Sequence, residues 1–213
     1  MQPELTIILT SITDDLASAW RSVCGDLPRV EVHHGDIFKT APDAVVSPAN
    51  SFGFMDGGID AVYTRVFGPG VQERLQRRIR ERHFGELLVG AADIVETEHA
   101  EIPYVIAAPT MRVPMRLPDD TVNPYLAARA ALILIAAGRL DDGTPVRERV
   151  KRVAFPGLAT GVGRVPAEIC AKQVRAAIED ITLGQRRFPD TWKDAQTRHQ
   201  QLFREQTWDL QRD

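Results

Sequence analysis

Between Leu5 and Ile181 short apolar runs alternate with amphipathic stretches, and no other feature of the chain constrains its fold as much. Leu5–Leu9 is a strand-length apolar run, followed by Thr10, Ser11 and Thr13 as capping residues and an amphipathic segment to Val23. Val30–His33 and Ala44–Val46 read as further strands, each ending in a polar or glycine-containing turn. Ile59–Phe67 has helical character, and Pro69 opens another helix with Val71, Leu75 and Ile79 on one face. Ala92–Glu96 and Tyr104–Ala108 are strands. Asn123 and Pro124 read as a cap and a first helical residue, with the helix running to about Ala137. Asp141-Asp142-Gly143 is a turn, Arg152–Phe155 a last buried strand, and Pro166 opens a helix that turns Ile169, Val174, Ile178 and Ile181 inward. Strands that alternate with helices predict an α/β fold, a three-layer α/β/α sandwich around a mixed, largely parallel sheet.

Residues 1–184 are expected to form this domain. Residues 185–213 change character: they are polar, with Phe188, Trp192, Leu202, Phe203, Trp208 and Leu210 scattered among them. They read as a helical appendage that packs on the domain or on another copy. The two cysteines, Cys24 and Cys170, lack a nearby partner, which argues against a zinc cluster or disulfide framework; Cys170 is expected on a buried helix face. No apolar run reaches membrane-spanning length, and Met1 to Thr10 lack a basic leader, so a cytoplasmic chain without a membrane partner is expected. The formal net charge is −3, from 26 basic and 29 acidic residues, which argues against a broadly basic nucleic-acid binder. Arg74, Arg77, Arg78, Arg80 and Arg82 are best read as one solvated helix face paired with acids elsewhere. His33 and His34 point to opposite faces of their strand and do not easily ligate one metal together, which favours a packing or surface role, and no metal site is predicted.

Four segments fall at strand ends, where open α/β folds place ligands. They are Gly35-Asp36-Ile37, Ser47-Pro48-Ala49-Asn50, Met55 to Asp60, and Pro156 to Arg164. Asp36 is either a turn or N-cap residue or an acceptor for an exocyclic amine such as adenine N6. Gly57 and Gly58 precede a helix, so its first N–H groups can face an anion, and Gly161 and Gly163 offer a second set of backbone donors. Neither loop is a Walker A or a Rossmann fingerprint. Asn50 carries donor and acceptor together and suits a ribose diol. Asp60, ten residues on, is either a dipole-matched first-turn acid or a group that holds or deprotonates water.

In order and spacing these segments resemble the macrodomain family of ADP-ribose-binding modules, over about Val30 to Ile181. The resemblance implies that Asp36 binds adenine with the Ile37 backbone beside it. It implies that Asn50 contacts the distal ribose, that Gly57, Gly58 and Ile59 form one phosphate loop, and that Thr160, Gly161, Val162 and Gly163 form the other. In spacing the chain is closest to the branch that removes mono-ADP-ribose from acidic side chains, where Asp60 occupies the catalytic position and Asn50 accompanies it. That implies ADP-ribose or an ADP-ribosylated substrate as partner, with no cofactor. The non-catalytic reader is the alternative, as is a hydrolase of O-acetyl-ADP-ribose or ADP-ribose 1″-phosphate; in a fourth reading the pocket is vestigial and the appendage makes the contacts.

The chain departs from the family pattern at three places. Ser47 stands where the family usually has asparagine. Asp56 adds a negative charge to a phosphate loop. Gly163-Arg164 replaces an aromatic and a glycine, so that Arg164 either pairs with a phosphate or faces solvent. Phe52 or Phe54 could then supply the missing ring. A related branch uses a lysine nucleophile, and only Lys39 of the four lysines lies near a ligand loop, which argues against that branch.

Overall fold

The structure, a computed structural model, describes residues 5–48, 50–185 and 187–210. Ala49 of the Ser47–Asn50 segment lies outside the described residues, as do both chain ends. Strand β1 (Thr6–Ser11) leads through α1 (Asp14–Cys24) to β2 (Val30–His34), then a 3-10 turn (Ile37–Thr40) and β3 (Ala44–Ser47). Helices α2 (Gly58–Phe67) and α3 (Gly70–Arg82) follow, then β4 (Asp93–Glu96), β5 (Tyr104–Ala107) and α4 (Asn123–Ala137). The short α5 (Val146–Arg149), β6 (Arg152–Phe155), α6 (Ala167–Ile181) and α7 (Trp192–Gln201) complete the order.

The strands form one sheet in the order β2-β1-β6-β3-β5-β4. Every pair is parallel except β4 with β5, as expected of a mixed, largely parallel sheet. Buried parallel strands have no polar face, and the alternation along each strand shows why. On β1, Ile7 and Leu9 face one core while Ile8 faces the other; on β6, Val153 and Phe155 oppose Ala154 in the same way. The first core lies under α1, α4 and α6, and the second under α2 and α3, which makes the three layers.

Some boundaries differ from the sequence expectation. β1 continues through Thr10 and Ser11 because β2 runs on beside it, pairing them with His33 and His34. The Thr10 hydroxyl donates to the Phe155 carbonyl at 3.1 Å, so its polar side chain is tolerated in the strand. Asn123 is not the cap of α4. It is the first helical residue, and its Nδ2 donates instead to the Thr110 carbonyl at 2.8 Å, tying the helix to the end of β5. The 3-10 turn and α5 are too short to leave a periodic signal.

The arginine face of α3 pairs as the sequence suggested at three positions. Arg78 binds Asp93 and Asp141, Arg82 binds Asp141, and Arg74 binds Glu98. Cys24 and Cys170 are both buried, and burial pushes each thiol up to about 12, which leaves them unreactive at neutral pH. Beyond Gly184 the chain folds on itself. Gln200 bonds the Trp208 backbone at both its carbonyl and its N–H, and Gln196 accepts from the Leu210 N–H. The two glutamines are buried by this returning segment, while Phe188, Trp192, Trp208 and Leu210 stay exposed.

Candidate functional site

All parallel strands deliver their carboxyl ends to one edge of the sheet, and a cavity of about 560 Å³ opens there. Thr10 to Thr13 enter it from the end of β1, Gly35 to Phe38 from β2, Pro48 and Asn50 from β3, Thr110 and Met111 from β5, and Pro156, Gly157 and Ala159 to Val162 from β6. The start of α2, Asp56 to Asp60, closes the remaining side. The four segments singled out in the sequence therefore converge on one space.

Asp36 does two things. Its Oδ1 accepts the Phe38 N–H at 3.0 Å and caps the 3-10 turn, while the side chain remains exposed on the cavity wall. A carboxylate has acceptor capacity to spare, so Oδ2 is left for an incoming donor. The turn-capping alternative is the one the hydrogen bond realises.

Two backbone loops line the cavity. In the first, Gly57 precedes α2 in an extended conformation and Gly58 has φ +55°, a region costly for any side-chain-bearing residue. Since the first helical turn has no intrahelical acceptors, the N–H groups of Gly58, Ile59 and Asp60 are left for a ligand. The loop is anchored from below at Met55, whose N–H donates to Gln72 Oε1 at 2.7 Å and whose carbonyl accepts from Thr64 Oγ1 at 2.8 Å. In the second loop, Val165 N–H donates to Ala159 O at 3.1 Å and Arg164 N–H to Gly161 O at 3.2 Å. Those closures turn Thr160, Gly161 and Val162 into the cavity, whereas Gly163 is buried behind them and Arg164 points to solvent. Gly157 sits in close quarters: a Cβ there would meet Thr160 Oγ1 at 2.3 Å and Leu16 Cδ2 at 2.6 Å, so those side chains would have to shift.

Asn50 is spent largely on its own loop. Its Oδ1 accepts the N–H groups of Phe52 and Phe54, at 3.1 and 3.3 Å, and its Nδ2 donates to the Phe54 carbonyl at 2.9 Å. One amide proton remains for a ligand. The same turn carries Phe54 to the cavity, while Phe52 lies outside it, under the Arg112 guanidinium at 5.2 Å.

Asp60 is buried and lines the cavity floor. Its Oδ1 accepts from the Ser47 hydroxyl at 2.5 Å. Burial pushes its carboxyl up to about 7, opposed by that hydrogen bond, so close to neutrality it populates both protonation states. Asp36, Asp56 and Asp60 line the cavity, and no lysine, arginine or histidine side chain does so among the described residues. Lys39 stands exposed outside it. Among the described residues no group of three or more His, Cys, Asp or Glu is placed to hold a metal ion. Nor is any helix among them long and apolar enough to cross a membrane.

Sequence reasoning missed several lining residues. Ile12, Phe38, Thr110, Met111 and Pro114 carry no polar motif and were invisible to a search for chemistry. The position of Thr10 to Thr13 after the first strand was the available signal.

The chain belongs to the macro domain family, whose sequence profile matches residues 46–174. An uncharacterized protein of Aquifex aeolicus is 36% identical over 152 residues, covering 71% of this chain and 80% of its own length. A macro domain-containing protein of Cupriavidus necator is 31% identical over 151 residues, 71% of this chain and 80% of its own. Among solved structures, a variant of the Oceanobacillus iheyensis macrodomain with ADPR superposes with a TM-score of 0.58 at 18% identity, covering 84% of this chain and 80% of that one. The macrodomain of Mycobacterium tuberculosis DarG gives 0.55 at 20% identity, over 70% of this chain and 88% of that one. At such identities the structural likeness establishes the shared fold.

Proposed function

We propose that this protein binds ADP-ribose in the strand-end cavity and hydrolyses an ADP-ribosyl linkage at the distal ribose. The observation that carries the reading is Asp60: a buried carboxyl of near-neutral acidity, on the floor of a cavity flanked by two loops of backbone donors. Asp36 Oδ2 accepts the adenine amine, and Ile37 and Phe38 supply the adjoining wall. The N–H groups of Gly58 and Ile59 face those of Thr160, Gly161 and Val162 across the pyrophosphate, which pins the sugar beyond it. At the anomeric carbon the bond to the acceptor oxygen breaks as positive charge develops on the ring. Water adds to that carbon and its proton passes to Asp60, leaving ADP-ribose and the free acceptor. An acid of near-neutral pKa suits that proton transfer.

Two findings bear on this chain's own version of the site. The phosphate loops hold an anion with backbone alone, since Arg164 is outside the cavity. Asn50 acts mainly as the builder of the Phe52–Phe54 turn, with a single amide proton for the ribose. The second finding favours the alternative of a reader that binds without turnover. Calorimetric titration with ADP-ribose, with AMP and GDP-ribose as controls, tests the pocket. Release of ADP-ribose from carboxyl-linked, O-acetyl and 1″-phosphate substrates, by the unaltered protein and by Asp60→Ala, tests the chemistry. Binding with turnover that Asp60→Ala abolishes supports the hydrolase; binding without turnover on any substrate supports the reader; no binding overturns both.

A further inference from the structure

Ser47 ends β3, a strand whose other residues, Ala44, Val45 and Val46, are all apolar. It has no exposed surface, and a hydroxyl in such a place is costly without a partner. Its partner is Asp60, thirteen residues on and in the first turn of α2, with Oγ to Oδ1 at 2.5 Å. This is the position where the family resemblance led us to expect asparagine. The bond uses Asp60 Oδ1, and Asp60 also lines the cavity.

We infer that Ser47 is a positioning residue for Asp60: its hydroxyl locks the carboxylate rotamer with Oδ2 toward the cavity and keeps the group able to accept a proton. The inference rests on the hydrolase reading above, yet the hold of Ser47 on Asp60 can be measured without any turnover. The surroundings leave that role to Ser47. Tyr63, on the same helix, gives its hydroxyl to the Val46 carbonyl at 3.1 Å. Asp36 and Asp56 face the same cavity and would only disfavour a further negative charge. No cationic side chain lines the cavity among the described residues. Burial is therefore opposed by a single side-chain donor, the Ser47 hydroxyl. Without it the carboxyl stays protonated at neutral pH and becomes a donor, which cannot take a proton from water.

The test is a carbon-13 titration of the side-chain carboxyls in the unaltered protein, Ser47→Ala and Ser47→Thr, with Asp60→Asn identifying the Asp60 signal. The pH profile of ADP-ribose release from a carboxyl-linked substrate is followed in parallel. Ser47→Ala should raise the Asp60 midpoint by about one pH unit. The acid limb of kcat should move by the same amount, with kcat about fivefold lower at pH 7, recovered near pH 9, and KM unchanged within about twofold. Ser47→Thr, which keeps the hydroxyl, should restore the original midpoint. Should the alanine variant fail to fold, Ser47→Cys, a weaker donor of similar size, is expected to move the midpoint in the same direction by less. A midpoint that does not move in a folded donor-deficient variant overturns the inference whatever happens to turnover. A midpoint that moves while no substrate is turned over sustains the Ser47–Asp60 coupling and overturns the hydrolase reading instead.

Discussion

At the scale of single residues, the role proposed for Asp60 is set against stability. Its folded pKa, about 7, lies above the ordinary carboxylate value of 3.8. Between those values the folded state binds more protons than the unfolded one, so stability falls as pH rises through that window and the loss persists above it. Three units correspond to at most about 4 kcal/mol. Asp60→Asn can still accept from Ser47 but carries no buried charge. It should raise the melting temperature at pH 8 by about 5 °C and change it little at pH 4, while abolishing turnover and sparing ADP-ribose binding. Thermal melts at the two pH values check the sign. Asp36 caps the 3-10 turn and, in the proposed binding mode, accepts the adenine amine, so Asp36→Ala should cost about 1 kcal/mol for the lost cap and weaken ADP-ribose about tenfold. Calorimetry should show a smaller loss for GDP-ribose, whose O6 has no proton to offer the carboxylate.

At the scale of elements, the proposed phosphate site is a pair of strand-to-helix and strand-to-loop turns rather than a set of charged side chains. Backbone donors near a helix start act at short range, and salt screens them less than it screens exposed lysines or arginines. ADP-ribose affinity should therefore change less than about threefold between 50 and 500 mM NaCl, measured by titration calorimetry. A steep fall with salt would point to cations that the cavity wall does not carry. Gly58 is the conformational key of the first loop. Nothing lies within 4 Å of a Cβ placed there, but its φ of +55° is strained for alanine. Gly58→Ala should cost about 1 kcal/mol of stability and, by moving the first N–H groups of α2, weaken binding at least about tenfold.

At the scale of the molecule, the strand-end cavity is assembled from segments spread between Thr10 and Val162, all within the stretch expected to form the domain. The C-terminal segment closes on itself through Gln196 and Gln200, and its link to α6 includes an exposed Lys172–Glu205 pair at 3.8 Å. Exposed pairs contribute little. Deleting residues 185–213 is accordingly expected to leave ADP-ribose affinity within about twofold, with a cooperative melt retained. A chain that no longer folds after the deletion would move the domain boundary toward the C-terminus.

Much of this was legible before any coordinates, for identifiable reasons. Strand and helix alternation comes from hydrophobic period, which is local, so β2, β3, β5, β6 and the main helices fell close to their places. The glycine loops were visible because backbone approach and first-turn donors need particular residue types in order, and the Asn50–Asp60 spacing took its meaning from the family resemblance. What stayed hidden depended on distant partners. Thr10 and Ser11 look like a cap, yet they belong to β1 because β2 pairs with them. Asn123 looks like a cap as well, and is drawn instead to Thr110. Arg164 could equally have served a phosphate; the hydrogen bonds closing its loop turn it outward. Asn50 could have met a ribose with its whole amide, and the turn it builds takes most of it. The residue chemistry determined which groups could bind and react. Tertiary structure decided which are free to do so, because burial and the identity of each hydrogen-bond partner are properties of the neighbours that folding brings, and Ser47 beside Asp60 is the sharpest case.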